Sequence, residues 1–327
     1  MHQQAASHAA AVDALDVRLA ALDAAVARLE TLLDEMRSAS MSETAASEAR
    51  LGESIESARR GLLLEIDRTR SRLAVPDSAA LELEGFRSSN AYGDFYTMPE
   101  PLVSIPIATY NRAGLLVDRS LRSLLDQDYT NLEIIVMGDG CTDDTEARVR
   151  ALGDERISYF DFTDHLLPPA LSRGCEAANR ALTMVTGDLI THLDDDDEYT
   201  PDRVGKLVRF LQESRAEFVW HPFWWQERQG GDWSLNEAES FMEGKVTTGA
   251  VMYLSFFKRV PWDPFTTRYG SPADWIRFST MRDLGARIGR YPEPLLRHYK
   301  EGLNPRWEAG PAQGFRHDDD AAVPAAG

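Results

Sequence analysis

Four consecutive aspartates, Asp194 to Asp197, follow a hydrophobic run that ends at Leu193. Several like charges at the end of a buried strand are unfavourable unless something compensates them, and a divalent cation carrying phosphates is a common partner. In an extended chain the side chains at i and i+2 share a face, so Asp194 and Asp196 can converge on one ion. Hard carboxylate oxygens suit Mg²⁺ or Mn²⁺. The spacing therefore predicts a site for a metal ion and a nucleotide diphosphate.

A solvated acidic loop is the alternative, because the chain has 53 acidic residues against 35 basic ones. The aspartates lie, however, between an apolar strand and a helix start, for which Thr200 is the predicted N-cap and Pro201 the first residue. This position favours the metal site over the solvated loop.

The elements that must position these aspartates begin after Pro101, where short apolar runs alternate with helical patterns. Such alternation predicts an α/β fold with a parallel sheet covered by helices. Ligands of open α/β sheets bind at the carboxyl ends of strands, where the polar segments Thr109–Arg112, Gly138–Gly140 and Asp194–Asp197 lie. The predicted strands are Val103–Ala108, Leu132–Met137, Ile157–Phe162 and Leu189–Leu193, and the predicted helices are Leu115–Asp126, Asp144–Leu152, Leu171–Val185 and Pro201–Glu213.

The second half of the chain is more aromatic, with tryptophans from Trp220 to Trp233 around the turn-forming segment Gln229–Asp232. This composition predicts a hairpin or a mixed sheet. Most of these tryptophans are expected in the core, although Trp225 or Trp233 could face a groove and stack on a sugar ring.

The overall charge restricts the class of partner. A net charge of −18 and a pI near 4.8 argue against docking on nucleic acid or anionic lipid. Cys141 and Cys175 are too few for a disulfide framework. The N-terminus does not resemble a secretory signal and no stretch approaches the roughly 18 apolar residues of a membrane span, so we predict a soluble, cytoplasmic protein with no transmembrane segment.

Residues 1–75 are predicted to form a helical coiled-coil arm. From Val12 to Met36 apolar residues recur at alternating steps of three and four, as in a coiled coil. We expect a homo-oligomer through this arm, and a helix folded back onto the chain is the alternative. Residues 76–101 are predicted to be a connector, 102–315 the α/β domain and 316–327 a disordered tail.

Three motifs of the α/β domain resemble the family 2 glycosyltransferases of GT-A fold. The motifs are Val103–Arg112, Glu133–Thr145, and Leu193–Asp197 with Tyr199, Pro201 and Asp202. The resemblance covers about Leu102 to Leu303. It implies a Rossmann-like mixed sheet flanked by helices. It also implies inverting transfer of a sugar from a nucleotide-diphosphate sugar, with a UDP-sugar favoured, to a hydroxyl of a glycan or other glycoconjugate.

The resemblance implies a nucleoside site. The loop of Thr109, Tyr110, Asn111 and Arg112 would border the nucleoside, and Asp139 would accept a hydrogen bond from the base. For the loop, an ordinary strand-to-helix connection with Asn111 as a cap is compatible with this role. For Asp139 the alternative is a turn residue, because Asp-Gly pairs favour tight turns without any ligand.

The resemblance also assigns the reacting groups. Asn179 and Arg180 fall where the family usually has Arg-Asn at a helix start, and we include them among the donor-binding residues. Asp194 would lie near the ribose, and Asp196 would ligate Mn²⁺ or Mg²⁺. Asp274 would be the general base, which the reaction needs because an acceptor hydroxyl is a weak nucleophile until it loses its proton.

The sequence departs from the family pattern at three positions. Gly138 replaces an aspartate, Ala178 replaces an arginine, and Ala273 replaces the glutamate of a Glu-Asp pair. Asp274 could therefore cap the helix that follows it instead of acting as a base. Arg173 could supply the missing phosphate-side charge, with an ordinary surface arginine as the alternative. His298 lies near where some relatives have a metal- or phosphate-contacting histidine, but out of register, and a structural role is the favoured interpretation.

The leading hypothesis is a metal-dependent glycosyltransferase. The competing hypothesis is a coiled-coil scaffold whose transferase-like domain binds a nucleotide or glycan without turnover, and the three departures are its support. A nucleotidyltransferase is a weaker option, because the segment Ala108–Tyr110 lacks the glycine-rich phosphate loop with a basic residue that such an enzyme usually has after its first strand.

Overall fold

The computed structural model describes residues 78–166, 172–226, 228, 230–264 and 272–300, together with Arg28, Thr31, Gly52, Ser54 and Ile55. The predicted coiled coil, apart from those five positions, and the predicted tail at 316–327 lie outside the described residues. The arm, its oligomer and the tail therefore stay predictions. No helix within the described ranges is both long and apolar enough to cross a bilayer.

The strands and helices of the described residues match the predicted alternation. In chain order the strands are β1 Val103–Thr109, β2 Leu132–Gly138, β3 Ile157–Asp161, β4 Leu189–Thr191, β5 Glu198–Tyr199, β6 Phe218–Trp220, β7 Phe223–Gln226, β8 Trp233–Asn236, β9 Val251–Leu254, β10 Ile288–Arg290 and β11 Leu296–His298. The helices are α1 Ala79–Arg87, α2 Asn90–Phe95, α3, α4 Thr145–Ala151, α5 Cys175–Met184, α6 Arg203–Ser214 and α7 Ala273–Asp283. Helix α3 runs as Ala113–Leu115, a π-helical stretch Leu116–Leu121, and Arg122–Leu125.

The main sheet is mixed, with the strand order β10-β6-β9-β4-β1-β2-β3. Strand β1 pairs in parallel with β2 and with β4, and β2 pairs in parallel with β3. Strand β9 is antiparallel to both β4 and β6. Strands β1, β2 and β4 are almost continuously apolar and buried, because helices cover both faces of the sheet. The predicted mixed α/β sheet with flanking helices is confirmed.

A second, smaller sheet has the order β5-β11-β7-β8. Strands β7 and β8 form an antiparallel hairpin with Phe223 opposite Asn236 and Gln226 opposite Trp233. Its turn contains the glycines that predicted a hairpin here. Helix α6 begins at Arg203, two residues later than predicted, and the Thr200 hydroxyl donates to Asp202 Oδ1 (3.0 Å) instead of capping the helix.

The predicted connector contains α1 and α2, which pack against the sheet through a buried carboxylate. Glu217 accepts hydrogen bonds from Arg87 Nε and Nη2 at 2.7 and 2.6 Å, and from the Tyr92 hydroxyl at 2.9 Å. The Arg287 N–H completes the set at 2.9 Å. The Glu217 side chain is fully buried. Residues 79–95 are therefore part of the α/β domain.

Removing the guanidinium that pairs with Glu217 should destabilise the domain. Arg87→Met leaves a buried carboxylate without its cation, and we expect a loss of about 3 kcal/mol in the free energy of unfolding, measured with urea. Glu84→Gln removes an exposed partner of the same arginine and should change stability by no more than about 0.5 kcal/mol. Equal effects of the two substitutions would contradict this account of the packing.

Candidate active site

A cavity of about 870 Å³ opens at the carboxyl ends of β1, β2 and β4. This edge is where open α/β sheets bind ligands. The cavity is lined by most of the residues that were predicted to bind the donor or the metal or to act as the base, namely Thr109, Tyr110, Arg112, Asp139, Asp194, Asp196 and Asp274.

The acidic loop, Asp194 to Asp197, is a turn and not the end of a strand. Strand β4 ends at Thr191, and the Asp197 N–H donates to the Asp194 carbonyl at 3.2 Å. Asp195 and Asp197 are buried, while Asp194 and Asp196 are half-buried. Asp194 and Asp196 therefore share the accessible side of the loop.

The π-helical stretch of α3 holds the backbone of this loop. The Ser120 hydroxyl lies 3.1 Å from the Asp194 carbonyl and 2.9 Å from the Asp197 carbonyl, and can donate to either. Arg119 Nη1 donates to the Asp196 carbonyl at 2.6 Å. Single π turns often occur at functional sites, because the extra residue redirects the side chains that follow. Here the π turn fixes the loop without using its carboxylates.

The carboxylates of the acidic loop have few cations near them. Arg112 Nη1 lies 3.2 Å from Asp195 Oδ1 and 2.6 Å from Asp196 Oδ2, and Asp195 also accepts a hydrogen bond from the Thr109 hydroxyl at 2.7 Å. Burial, followed by the charges of neighbouring aspartates, raises the pKa of Asp196 to about 7 and that of Asp194 well above its ordinary range. The loop therefore has more negative charge than Arg112 compensates.

His298, the last residue of β11, joins the acidic loop. Its Nδ1 lies 2.9 Å from Asp197 Oδ2, and the Tyr299 N–H donates to Asp197 Oδ1 at 2.9 Å. Burial disfavours the imidazolium, but the carboxylates of Asp197, Asp194 and Asp196 together outweigh burial and raise the pKa of His298 to about 9. In the described part of the chain, Asp194, Asp197 and His298 bring ligand atoms within 4.8 Å of one another, which is close enough to hold a metal ion.

Sequence reasoning favoured a structural role for His298 and gave none to Asp197. The available signal was the one used for the other motifs: His298 ends a strand whose carboxyl end meets the cavity. Carboxylates that hydrogen-bond a histidine are common beside metal sites, where they fix the orientation of the ring.

Asp139 follows β2 and also lines the cavity. Its side chain is buried, and its N–H donates to the Thr109 carbonyl at 2.9 Å. Asp139 Oδ1 lies 3.3 Å from His165 Nδ1. The chain bends at Asp139 and Gly140, where Gly140 has φ of 77°, so a local structural role and the predicted contact with the base are compatible.

Asn111 ties the two loops that follow β1 and β2 together. Its backbone is left-handed, with φ of 51°. Its Oδ1 accepts from the Thr142 N–H at 2.7 Å and its Nδ2 donates to the Thr142 hydroxyl at 3.0 Å. The side chain does not cap α3 and is not among the described residues that line the cavity. Its contribution to the site is the position of the loops.

Asn179 and Arg180 also lie outside the lining of the cavity, as far as the described residues define it. The Asn179 amide exchanges hydrogen bonds with the backbone N–H and carbonyl of Trp262, at 2.7 and 2.8 Å. The Arg180 guanidinium stacks 4.0 Å from the centre of the Phe162 ring and lies 3.1 Å from Asp164 Oδ1. These contacts give both side chains a role in packing α5 against its neighbours. They provide no support for the predicted contact with the donor.

Asp274 lies in the first turn of α7 and faces the cavity. Its Oδ1 accepts a hydrogen bond from the Trp275 N–H at 2.7 Å, so it satisfies a backbone donor at the helix start. Burial raises the pKa of Asp274 to about 6, which leaves the carboxyl mostly ionised at neutral pH. The helix-start contact and a role as base are thus compatible.

Comparison with known families shows which family the chain belongs to. Residues 104–282, more than half of the chain, match the family described as Glycosyl transferase family 2. The chain belongs to glycosyl transferase family 2. The family predicted from the three motifs is confirmed.

Two curated relatives show the extent of the likeness. A protein of Escherichia coli (strain K12) named for glycosyl transfer in colanic acid biosynthesis is 36% identical over 115 residues, which are 35% of this chain and 39% of the relative. The GalNAc(5)-diNAcBac-PP-undecaprenol beta-1,3-glucosyltransferase of Campylobacter jejuni is 34% identical over 118 residues, which are 36% of each chain. The match thus spans less than two fifths of the length of these relatives.

Solved structures agree in fold. The S. aureus TarS fragment 1-349 in complex with UDP-GlcNAc aligns with a TM-score of 0.51 at 15% identity, covering 64% of this chain and 61% of that chain. At this level of identity the likeness concerns the fold alone.

Gly138, where glycosyl transferase family 2 usually has an aspartate, lies against another carboxylate. Asp161, at the end of β3, accepts from the N–H groups of Gly140 and Cys141 at 2.8 and 3.1 Å. A Cβ at Gly138 would meet Asp161 Oδ1 at 2.5 Å and the Tyr159 hydroxyl at 2.7 Å. Asp161 therefore occupies the space of the missing side chain and holds the loop that carries Asp139.

Gly138→Ala should displace the Asp161 carboxylate. Because that carboxylate is held by backbone N–H groups, we expect a loss of about 1–3 kcal/mol in the free energy of unfolding in urea. Gly85→Ala is the matched control, since an added Cβ there meets nothing within 4 Å and α1 should gain up to about 1 kcal/mol. If Gly138→Ala were as stable as Gly85→Ala, Asp161 would not be fixed as described.

Proposed function

We propose that this protein is a metal-dependent, inverting glycosyltransferase that moves a sugar from a UDP-sugar to a hydroxyl of a glycan or other glycoconjugate. The observation that supports it most is that one cavity is lined by Asp139, by the acidic loop and by Asp274. Transfer from a nucleotide-sugar needs a partner for the nucleobase, positive charge beside the diphosphate, and a general base that accepts the proton of the acceptor hydroxyl.

The donor and acceptor classes are proposed from the relatives. The S. aureus TarS structure is described in complex with UDP-GlcNAc, which supports a uridine nucleotide as the carrier. The Campylobacter jejuni relative is named for a glycan attached to undecaprenol diphosphate, which supports a glycoconjugate as the acceptor. Tyr110 and Arg112 at the cavity wall, with Asp139, would bind the nucleoside end.

The acidic loop fits a divalent cation. Burial, and after it the charges of the neighbouring aspartates, raises the pKa values of Asp194 and Asp196, and a doubly positive ion would favour their ionised forms. Asp194, Asp196 and His298 would hold Mn²⁺ or Mg²⁺, with the ion displacing one proton of the His298 ring, and Asp197 would orient that ring through the hydrogen bond to Nδ1. When bound, the ion would stabilise the charge that develops on the departing diphosphate. Asp196 must then exchange part of its contact with Arg112 for the ion.

Asp274 would act as the general base. As the acceptor oxygen forms its bond to the anomeric carbon, the hydroxyl proton moves to the Asp274 carboxylate and the bond from the anomeric carbon to the diphosphate oxygen breaks. Direct displacement on one face inverts the configuration. Its half-buried position at the cavity wall and its pKa of about 6 suit a base that works near neutral pH.

Asp274→Asn should abolish transfer while leaving donor binding intact. We expect kcat to fall about 10²–10⁴-fold in an assay of donor hydrolysis or transfer, because general-base assistance is lost. Asp283→Asn, at the other end of the same helix, is the matched control and should keep full activity. Unchanged kcat in Asp274→Asn would remove Asp274 from its role. UDP binding in the wild type with no turnover of any donor would favour the scaffold hypothesis.

Mn²⁺ alone should raise the melting temperature of the wild-type protein, because an ion that binds only the folded state adds about 2.7 kcal/mol at a hundred times its Kd. Asp196→Ala and His298→Ala should lose most of this shift. Asp126→Ala, an exposed aspartate after α3, should keep it. A full Mn²⁺ shift in Asp196→Ala or in His298→Ala would exclude that residue as a ligand.

A further inference from the structure

The small sheet has one buried face and one exposed face. Pairing places Arg297 beside both Trp224 and Glu198, and because side chains alternate along a strand, these three share a face. Their neighbours Phe223 and Leu296 point to the opposite face and are buried in the core. We call the exposed side the outer face. It consists of Glu198, Trp224, Gln226, Trp233, Leu235, Arg297 and Tyr299, and of these seven Gln226 alone is buried.

Two tryptophans of the outer face are not core residues. Trp224 and Trp233 keep 36% and 38% of their surface exposed, whereas Trp220 keeps 9% and its indole N–H donates to the Ala238 carbonyl. Trp224 and Trp233 stand diagonally across the β7–β8 ladder, which puts their Cα atoms roughly 7–8 Å apart. A single extended ligand can therefore contact both.

The outer face continues into the cavity through Tyr299. The rings of Trp233 and Tyr299 meet edge to face with centres 4.9 Å apart, and Tyr299 lines the cavity. The Tyr299 hydroxyl donates to Glu198 Oε1 at 3.1 Å, and the Arg119 guanidinium covers its ring at 3.6 Å. Tyr299 is thus fixed at the junction, and the same Arg119 holds the backbone of the acidic loop.

We propose that the outer face is the acceptor subsite, where pyranose rings of a neutral glycan stack on Trp224 and Trp233 while the reacting hydroxyl enters the cavity past Tyr299. This inference rests on the proposed function. Aromatic rings cover the apolar faces of sugars, and the neighbouring polar groups can hydrogen-bond their hydroxyls. Arg297 and Glu198 pair at 2.8 Å, so the charges of the face neutralise each other and favour an uncharged ligand.

A panel of neutral hexasaccharides tests the proposal on the full-length protein. Cellohexaose, maltohexaose, laminarihexaose and chitohexaose would be titrated against the wild type, Trp224→Ala, Trp233→Ala and the control Leu81→Ala, an exposed leucine of α1. We expect at least one sugar to bind with a millimolar Kd and to bind about tenfold more weakly to each tryptophan variant. Phenylalanine at either position should restore most of the affinity, because the stacking face is kept.

The stabilisation by UDP with Mn²⁺ is measured on the same variants and should not change. Loss of sugar binding with an intact UDP shift supports the subsite. If the wild type binds sugar through the tryptophans but UDP with Mn²⁺ does not raise its melting temperature, the proposed function is wrong, and the outer face remains a sugar-binding surface. Two results of the titration would overturn the subsite: equal sugar affinity in wild type and variants, or no binding of any hexasaccharide. A wild-type dimer that Trp224→Ala converts to a monomer would also overturn it, because the outer face would then bind a second copy of the chain.

Discussion

The crowding of carboxylates in the acidic loop is the constraint around which the site is arranged. Asp195 and Asp197 are withdrawn from water, and each has a cationic partner: His298 pairs with Asp197, and Arg112 is shared between Asp195 and Asp196. Asp194 and Asp196 remain on the accessible side with raised pKa values. The protein thus relieves only part of the repulsion between the carboxylates of the loop, and a bound cation would relieve the rest.

The groups that hold the loop come from separate elements of the fold. Behind it, the fully buried Arg203 of α6 donates to the Thr191 hydroxyl and to the Val251 carbonyl at 3.0 Å each, and stacks 3.8 Å from the centre of the Tyr199 ring. The π turn of α3 holds its carbonyls. Because α3 and the residues around Arg203 fix the backbone on either side of the loop, the loop cannot move to separate its like charges, and the carboxylates stay close together.

The sequence predicted the sheet and the family, because each depends on local patterns: apolar runs, helix periodicity and short motifs. The end of β4 at Thr191 was not predicted, because the apolar run continues to Leu193. It did not reveal the contact between Asp197 and His298, which joins residues 101 positions apart through the packing of two short strands. The same limit applies to Asn179 and Arg180, since the direction of a side chain depends on how its helix packs. The place of Asp161 beside Gly138 depends likewise on the register of β2 with β3.

The central claim is that a cation held by the acidic loop links the protein to a diphosphate. Calorimetric titration of UDP into the wild-type protein, once with saturating Mn²⁺ and once with EDTA, tests it most directly. The account predicts that UDP binds at least about tenfold more tightly with Mn²⁺, since the ion converts repulsion between the loop and the diphosphate into attraction. Equal UDP affinity under the two conditions would contradict it.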